Sequence, residues 1–158
     1  MERNMPMGLR FSLLHRSFKK QMDARLQEKG LTGVQFGVLG QLRRLQRAGQ
    51  AEINQRDLET ATHVTHPTMT EIVKRLEKQG FVACAPSERD RRYKSIRATE
   101  KAEALHQEID ELDGAIFAEL CRGLSEEDVA ALRRITDRML GNIFENCRKK
   151  QGGDEAGA

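Results

Sequence analysis

At Gly80 the apolar spacing of this chain changes period, and that change limits the fold more tightly than any other feature. Before the glycine, Met69, Ile72, Val73 and Leu76 recur three and four residues apart, the spacing that gathers side chains on one face of a helix. After it, Phe81–Ala85 reads as a short strand, Pro86–Arg91 as a polar turn and Arg92–Ala98 as a returning strand. The helix before Gly80 is expected to start at a Thr65 cap and run to Gln79, with Pro67 in its first turn, where a missing N–H costs nothing. A shorter helix over about Asn54–Thr60 precedes it, marked by Asn54 in the capping position, Asp57 three residues on and Leu58 as inward anchor. Thr62 to Val64 make the turn between them. Two short helices joined by a tight turn form a helix-turn-helix, and a hairpin that follows at once is a wing.

The flanks read as longer helices. Leu9, Leu13 or Leu14, Phe18, Met22 and Leu26 mark one from Leu9 to Lys29, stopped by Gly30. Thr32 caps a second, to about Arg47, whose stripe draws on Val34 or Phe36, Val38 or Leu39, Leu42 and Leu45. Beyond the hairpin, Thr99 caps a helix to about Arg122 with Leu105, Ile109, Leu112, Ile116 or Phe117 and Leu120 on one side. Gly123 breaks it. Ser125 and Asp128 then open a last helix carrying Val129, Leu132, Ile135, Met139, Ile143 and Phe144. The fold class that results is mainly α: a winged helix-turn-helix with a two-stranded wing between N- and C-terminal dimerisation helices. Residues 31–98 are the expected DNA-binding lobe, 9–30 and 99–147 the helical dimerisation region, and 1–8 and 151–158 disordered tails, the second without a bulky apolar residue. Apolar stripes as long as Leu105–Leu120 and Val129–Phe144 need a partner surface; a second copy is the economical one, while packing on the same chain takes part of each.

A chain of 158 residues, 38% hydrophobic and 32% charged, can build one globular core. Its apolar runs are interrupted well before the roughly 18 residues that a membrane span requires. Leu9–Leu14 is the only apolar candidate near the start, broken by Arg10 and Ser12, so the chain reads as cytoplasmic and not secreted. Three unpaired cysteines suit a reducing compartment, where thiols stay free. No metal site is expected, because His15, His63, His66 and His106 lack ligand spacing. Neither a nucleophile beside a base nor a phosphate-cradling glycine loop is legible, so the chain is read as no enzyme and as needing no cofactor.

The net charge of +3 conceals an asymmetry. From His63 to Arg97 eight basic residues stand against four acidic ones; from Ala98 to Ala130 there are ten acidic and two basic. A basic middle beside an acidic helical region suggests one face for a polyanion and another for a different partner. On the helix before Gly80, Pro67, Thr70, Glu71, Lys74 and Lys78 point away from the apolar stripe, with Thr65, His66 and Thr68 exposed at its start. Thr68 and Thr70 could bond phosphates or base edges, His66 could donate to either, and Lys74 and Arg75 supply charge. Taken alone, that helix reads equally well as a solvated face. The hairpin tip shifts the balance: Arg89, Arg91 and Arg92 place guanidinium groups where a narrow, negative minor groove would receive them. Asp90 among them is expected to pair with a neighbouring arginine and orient it.

Three stretches together resemble the MarR family: Leu31-Thr-Gly-Val-Gln-Phe-Gly-Val-Leu, Asn54-Gln-Arg-Asp-Leu-Glu, and His66-Pro-Thr-Met-Thr-Glu-Ile-Val-Lys-Arg-Leu-Glu-Lys-Gln-Gly-Phe-Val. Ser87-Glu-Arg-Asp-Arg-Arg, with Ile96-Arg-Ala-Thr-Glu-Lys after it, is similar to the family's Asp-x-Arg wing signature and the threonine-capped helix that follows. The chain departs from the pattern at Ile96–Ala98, where leucine is common, and at Ala102, where glycine is common. The resemblance implies a transcriptional regulator, in the first place a repressor, that binds a pseudo-palindromic duplex as a homodimer with interdigitated terminal helices. It also implies release by a small anionic or aromatic ligand held in a cleft between the dimer helices and the DNA-binding lobe. A protein-protein adaptor that uses the winged helix without specific DNA is the alternative. Peroxide-sensing relatives carry a cysteine in the first helix; here that helix has none, and Cys84, Cys121 and Cys147 read as small packing residues.

Overall fold

The computed structural model describes residues 5–151, with backbone only at 144 and 146–151. Six helices and one hairpin follow in the order α1 (Met7–Glu28), α2 (Gly33–Arg47), α3 (Gln55–Thr62), α4 (His66–Lys78), β1 (Val82–Pro86), β2 (Lys94–Ala98), α5 (Glu100–Leu120) and α6 (Glu126–Gln151). This is the mainly helical winged fold expected. α1 begins two residues before Leu9 because Pro6 sits at its cap with a carbonyl that accepts from both Leu9 and Arg10 at 3.1 Å. Met7 and Gly8 are therefore helical rather than part of a tail, and so is Gln151; residues 1–4 and 152–158 lie outside the described chain.

Local chemistry sets the helix starts. Thr32 accepts from the Gln35 N–H at 3.3 Å while Gln35 Oε1 accepts from the Thr32 N–H at 2.8 Å, a closed capping box. Asn54 does the same for α3, accepting from the Arg56 and Asp57 N–H groups at 2.9 and 3.2 Å while the Asp57 carboxylate takes the Asn54 N–H at 2.8 Å. α3 continues past Thr60 to Thr62 and stops at His63, which adopts the left-handed conformation (φ +55°). At α4 the cap differs from expectation. Thr65 occupies the position, but its hydroxyl meets the Thr68 hydroxyl at 3.0 Å and bonds no backbone N–H. Pro67 is the reason: it removes one of the two N–H groups a capping side chain can reach, which leaves only that of Thr68.

The chain divides into two compact units, Met1–Ile116 and Phe117–Ala158, with the boundary inside α5. In the first, Leu39, Leu42, Leu58, Met69 and Leu76 are completely buried, and Leu26, Phe81, Ile96, Leu105 and Ile109 close around them. In α2 both Val38 and Leu39 turn inward, whereas Val34 stays exposed. His106 also enters this core, its ring centroid 5.0 Å from that of Phe36, and burial pushes its pKa down so that it stays neutral. The hairpin pairs antiparallel from Val82 opposite Ala98 to Pro86 opposite Lys94. Both strands sit one or two residues away from the expected spans. Arg92 and Tyr93 belong to the turn, because the Asp90 carbonyl accepts from the Tyr93 N–H at 2.9 Å and the Tyr93 carbonyl accepts from the Ser87 N–H at 3.0 Å. The Ile96 N–H reaches the Ile53 carbonyl at 2.7 Å, which ties the residue before the α3 cap to β2.

Thr99 receives the Ala102 N–H at 3.4 Å and donates to the Gly80 carbonyl at 2.7 Å, fixing the start of α5 to the loop that follows α4. α5 ends at Leu120, two residues short of Arg122, where the Leu124 N–H returns to the Cys121 carbonyl at 3.0 Å and Gly123 takes φ +84°. In the second unit, Ser125 and Asp128 cap α6 reciprocally: Ser125 Oγ accepts the Asp128 N–H at 3.1 Å and donates to the Asp128 carboxylate at 2.7 Å. None of the described helices is long and apolar enough to cross a membrane.

Candidate nucleic-acid interface

α4 buries Met69, Ile72, Val73 and Leu76 and turns the rest outward. Thr65, His66, Pro67, Thr68, Glu71, Lys74 and Arg75 are exposed, as the helical spacing requires. Thr70 is the exception. It is half-buried, donates to the His66 carbonyl at 3.0 Å and accepts from Gln55 Nε2 at 2.7 Å, so its hydroxyl is committed inside the protein rather than offered to a phosphate. Lys74 lies 3.1 Å from Glu71 in a pair exposed on both sides, which is worth little and leaves the ammonium available.

A residue cluster that the sequence reading did not single out holds the start of α4. Gln55, at the first position of α3, donates to Glu59 Oε1 at 2.9 Å as well as to Thr70, and Glu59 Oε1 lies 2.7 Å from His66 Nδ1. These donors, Gln55 first and then His66, hold the Glu59 carboxyl below its ordinary range. The signal was present only as an i,i+4 Gln-Glu spacing on a helix whose partner face could not be read without the turn angle.

The wing is braced from both ends. Arg92 grips Asp90 with two guanidinium nitrogens, Nε at 3.1 and 3.2 Å from the two oxygens and Nη2 at 2.8 Å, while its backbone N–H donates to the same carboxylate at 3.0 Å. Asp90 is held below its ordinary pKa by Arg92, and Arg92 above its own by Asp90. Among the described residues Arg89 and Arg91 make no ion pair and stand exposed. At the root, Glu52 accepts from the Ser87 hydroxyl at 2.6 Å and from the Glu88 N–H at 2.8 Å; the first of these bonds, then the second, draws its carboxyl below the ordinary range. Glu52 was also not foreseen, since it precedes the helix-turn-helix by only a loop and touches the wing across 35 residues.

Between α3, the start of α4 and the wing opens a pocket of 540 Å³, lined among others by Gln55, Glu59, His66, Arg92 and Tyr93. Cys84 faces it, and burial followed by the nearby Glu77 charge pushes the thiol up to about 11, so little thiolate forms. Cys121 is half-buried in the second unit; the side chain of Cys147 lies outside the description. No group of three or more metal-ligating side chains occurs among the described residues.

A helix with an exposed polar and cationic face, entered by a tight turn and followed by an arginine-tipped hairpin, defines a winged helix-turn-helix protein. Residues 29–92 match the model of the MarR family. Solved structures share the fold over most of the chain. MepR of Staphylococcus aureus, a transcription regulator of the multidrug efflux pump MepA, superposes with a TM-score of 0.72 at 22% identity over 88% of this chain and 99% of its own. A mutant of MepR bound to an oligodeoxyribonucleotide gives 0.70 at 23%, over 89% and 99%. Wild-type MarR of E. coli in its apo form gives 0.68 at 23%, over 88% and 99%.

Proposed function

We propose that this chain binds duplex DNA as a homodimer and regulates transcription, in the first place as a repressor in the cytoplasm. The observation that carries the reading is the pairing of an exposed cationic α4 face with a wing whose arginine is held in place by Asp90. His66, Thr68, Lys74 and Arg75 are suited to a major groove, with Thr65 and Pro67 setting the helix entry, and Arg89, Arg91 and Arg92 to the adjoining minor groove. Thr70 serves from behind, by holding the helix to α3. That a relative with this fold is bound to an oligodeoxyribonucleotide supports the assignment.

Two exposed apolar surfaces support the dimer. α1 leaves Leu9, Phe11, Leu13 and Leu14 between 40% and 51% exposed, and α6 leaves Ile135, Leu140 and Ile143 between 49% and 55%. Rows of that size on helices are normally covered, and two copies of the same chain cover both by symmetry. A two-fold dimer then requires a pseudo-palindromic site with half-sites about one helical turn apart. If a small anionic or aromatic ligand releases the complex, it acts by favouring another spacing of the two α4 helices, which takes only a few kcal/mol.

Fluorescence anisotropy with labelled duplex, combined with sedimentation, tests the reading. A two-chain complex that prefers one sequence over random duplex is expected. Binding of one chain per duplex, or no binding even at low salt, overturns it and favours the adaptor reading.

A further inference from the structure

The imidazole of His66 makes every bond it has within the described protein through Nδ1, and its side chain is 75% exposed. Which ring nitrogen carries the proton follows from counting hydrogens around it. Gln55 Nε2 has two. Of the acceptors it meets, Glu59 Oε1 at 2.9 Å and Thr70 Oγ1 at 2.7 Å are nearer than the His66 carbonyl at 3.2 Å, and these two take both. Reversing the amide would set its oxygen against the Glu59 carboxylate, so the orientation is not free. The Thr70 hydroxyl proton is spent on the His66 carbonyl at 3.0 Å. Neither neighbour therefore has a proton left for Nδ1, although Gln55 Nε2 lies 3.2 Å from it. The 2.7 Å contact between Nδ1 and the Glu59 carboxylate must then be bridged by a proton belonging to the imidazole. In the neutral ring Nε2 is consequently bare and acts as an acceptor.

Resting on the DNA reading above, we infer that His66 is a specificity residue whose bare Nε2 accepts a hydrogen bond from an exocyclic amino group in the major groove, with Gln55 and Glu59 as its positioning residues. In the major groove adenine and cytosine present amino donors, N6 and N4, whereas guanine and thymine present only acceptors at the corresponding edge. An acceptor at Nε2 thus favours adenine or cytosine on the strand it faces and meets an oxygen lone pair at guanine or thymine. A histidine of the opposite tautomer would donate to guanine N7 or O6, thymine O4 or adenine N7 and would not select the amino edge, so the choice is made by α3 and not by α4 itself. Glu59 supports this role through its 19% side-chain exposure, which keeps the carboxylate partly shielded where it meets the ring.

Two measurements test the inference. In long-range nitrogen-proton NMR spectra of the free protein at mildly alkaline pH, His66 is expected to show a protonated Nδ1 and a bare Nε2. In Glu59→Ala the two tautomers should mix. A dominant Nε2–H form in the wild type overturns the inference whatever the DNA result. In selection from a randomised duplex pool, the wild type should prefer adenine or cytosine over guanine or thymine at one position of the site by about tenfold. His66→Ala should level that position and leave the others. If wild type and His66→Ala select identical sites, or if the lost preference is for guanine or thymine, the inference fails while DNA binding stands. If the wild type enriches no duplex at all, the DNA reading itself fails and this one with it.

Discussion

α4 and α6 carry apolar stripes of the same helical period, yet they meet different fates. In α4 the stripe is absorbed completely: Met69 and Leu76 have no exposed surface. In α6, Leu132 is 38% and Ile135 53% exposed, although the helix is twice as long. Periodicity alone says that a stripe wants cover and is silent on what covers it. α4 lies between α3 and β1 in sequence and both pack against it, whereas the apolar row of α6 stays exposed in the single chain. The lobe around α4 is thus expected to stand on contacts within one chain, and the α6 surface on contacts between copies.

The most damaging way to probe the first half of that contrast is Leu58→Ala. It empties a fully buried site of the α3 anchor and should cost about 2–5 kcal/mol, read as a lower urea midpoint with helix content lost from the lobe. A loss below about 1 kcal/mol would show that the lobe is not close-packed there.

The corresponding probe of α6 is the double change Ile135→Asp with Ile143→Asp. Both side chains are exposed in one chain, so unfolding is not expected. If they are buried between copies at about 1.5–3 kcal/mol each, the dimer dissociation constant should rise at least about a hundredfold in sedimentation experiments. Unchanged association would place the dimer contact elsewhere.

Within the lobe, Lys74→Ala and Arg92→Ala separate charge from fit. Lys74→Ala should weaken binding on all duplexes alike and flatten the plot of log affinity against log salt by about 0.9. Arg92→Ala should lose most on A·T-rich flanks, since a narrow minor groove attracts its guanidinium; equal losses on A·T and G·C flanks reject that placement.

Smaller again is Asn54→Ala, which removes the α3 cap and should lower stability by about 1 kcal/mol, measured by thermal unfolding. The least effect concerns acid. Glu52 has a folded pKa below its unfolded value, so its bonds to Ser87 and Glu88 add stability above the unfolded pKa of about 4.3 that is lost as pH falls through the folded one. Tyr93 is the only tyrosine in a chain without tryptophan and lies in the wing turn, so its fluorescence should report this change, and Glu52→Gln should flatten the response between neutral pH and acid.

Much of the molecule follows from short-range rules that the amino-acid sequence alone satisfies. The Thr32 and Asn54 caps, the Ser125 and Asp128 pair, the glycine breaks and the change of period at Gly80 are all settled within four residues of chain, which is why they were legible. The Thr65 cap was misread because a proline two positions on withdraws a donor, a local effect that needs the helix register to be seen. What only the tertiary structure decided are contacts between elements. His106 lies in the core beside Phe36, 70 residues away in sequence but 5.0 Å away between ring centroids. Glu52 reaches the wing root, and Gln55 takes the hydroxyl of Thr70 and sets the proton on His66 by way of Glu59. Each depends on the angle at which one helix or strand crosses another. That angle is set by the packing of Leu58, Met69 and Leu76 against their neighbours and leaves no trace in the spacing of residues along the chain.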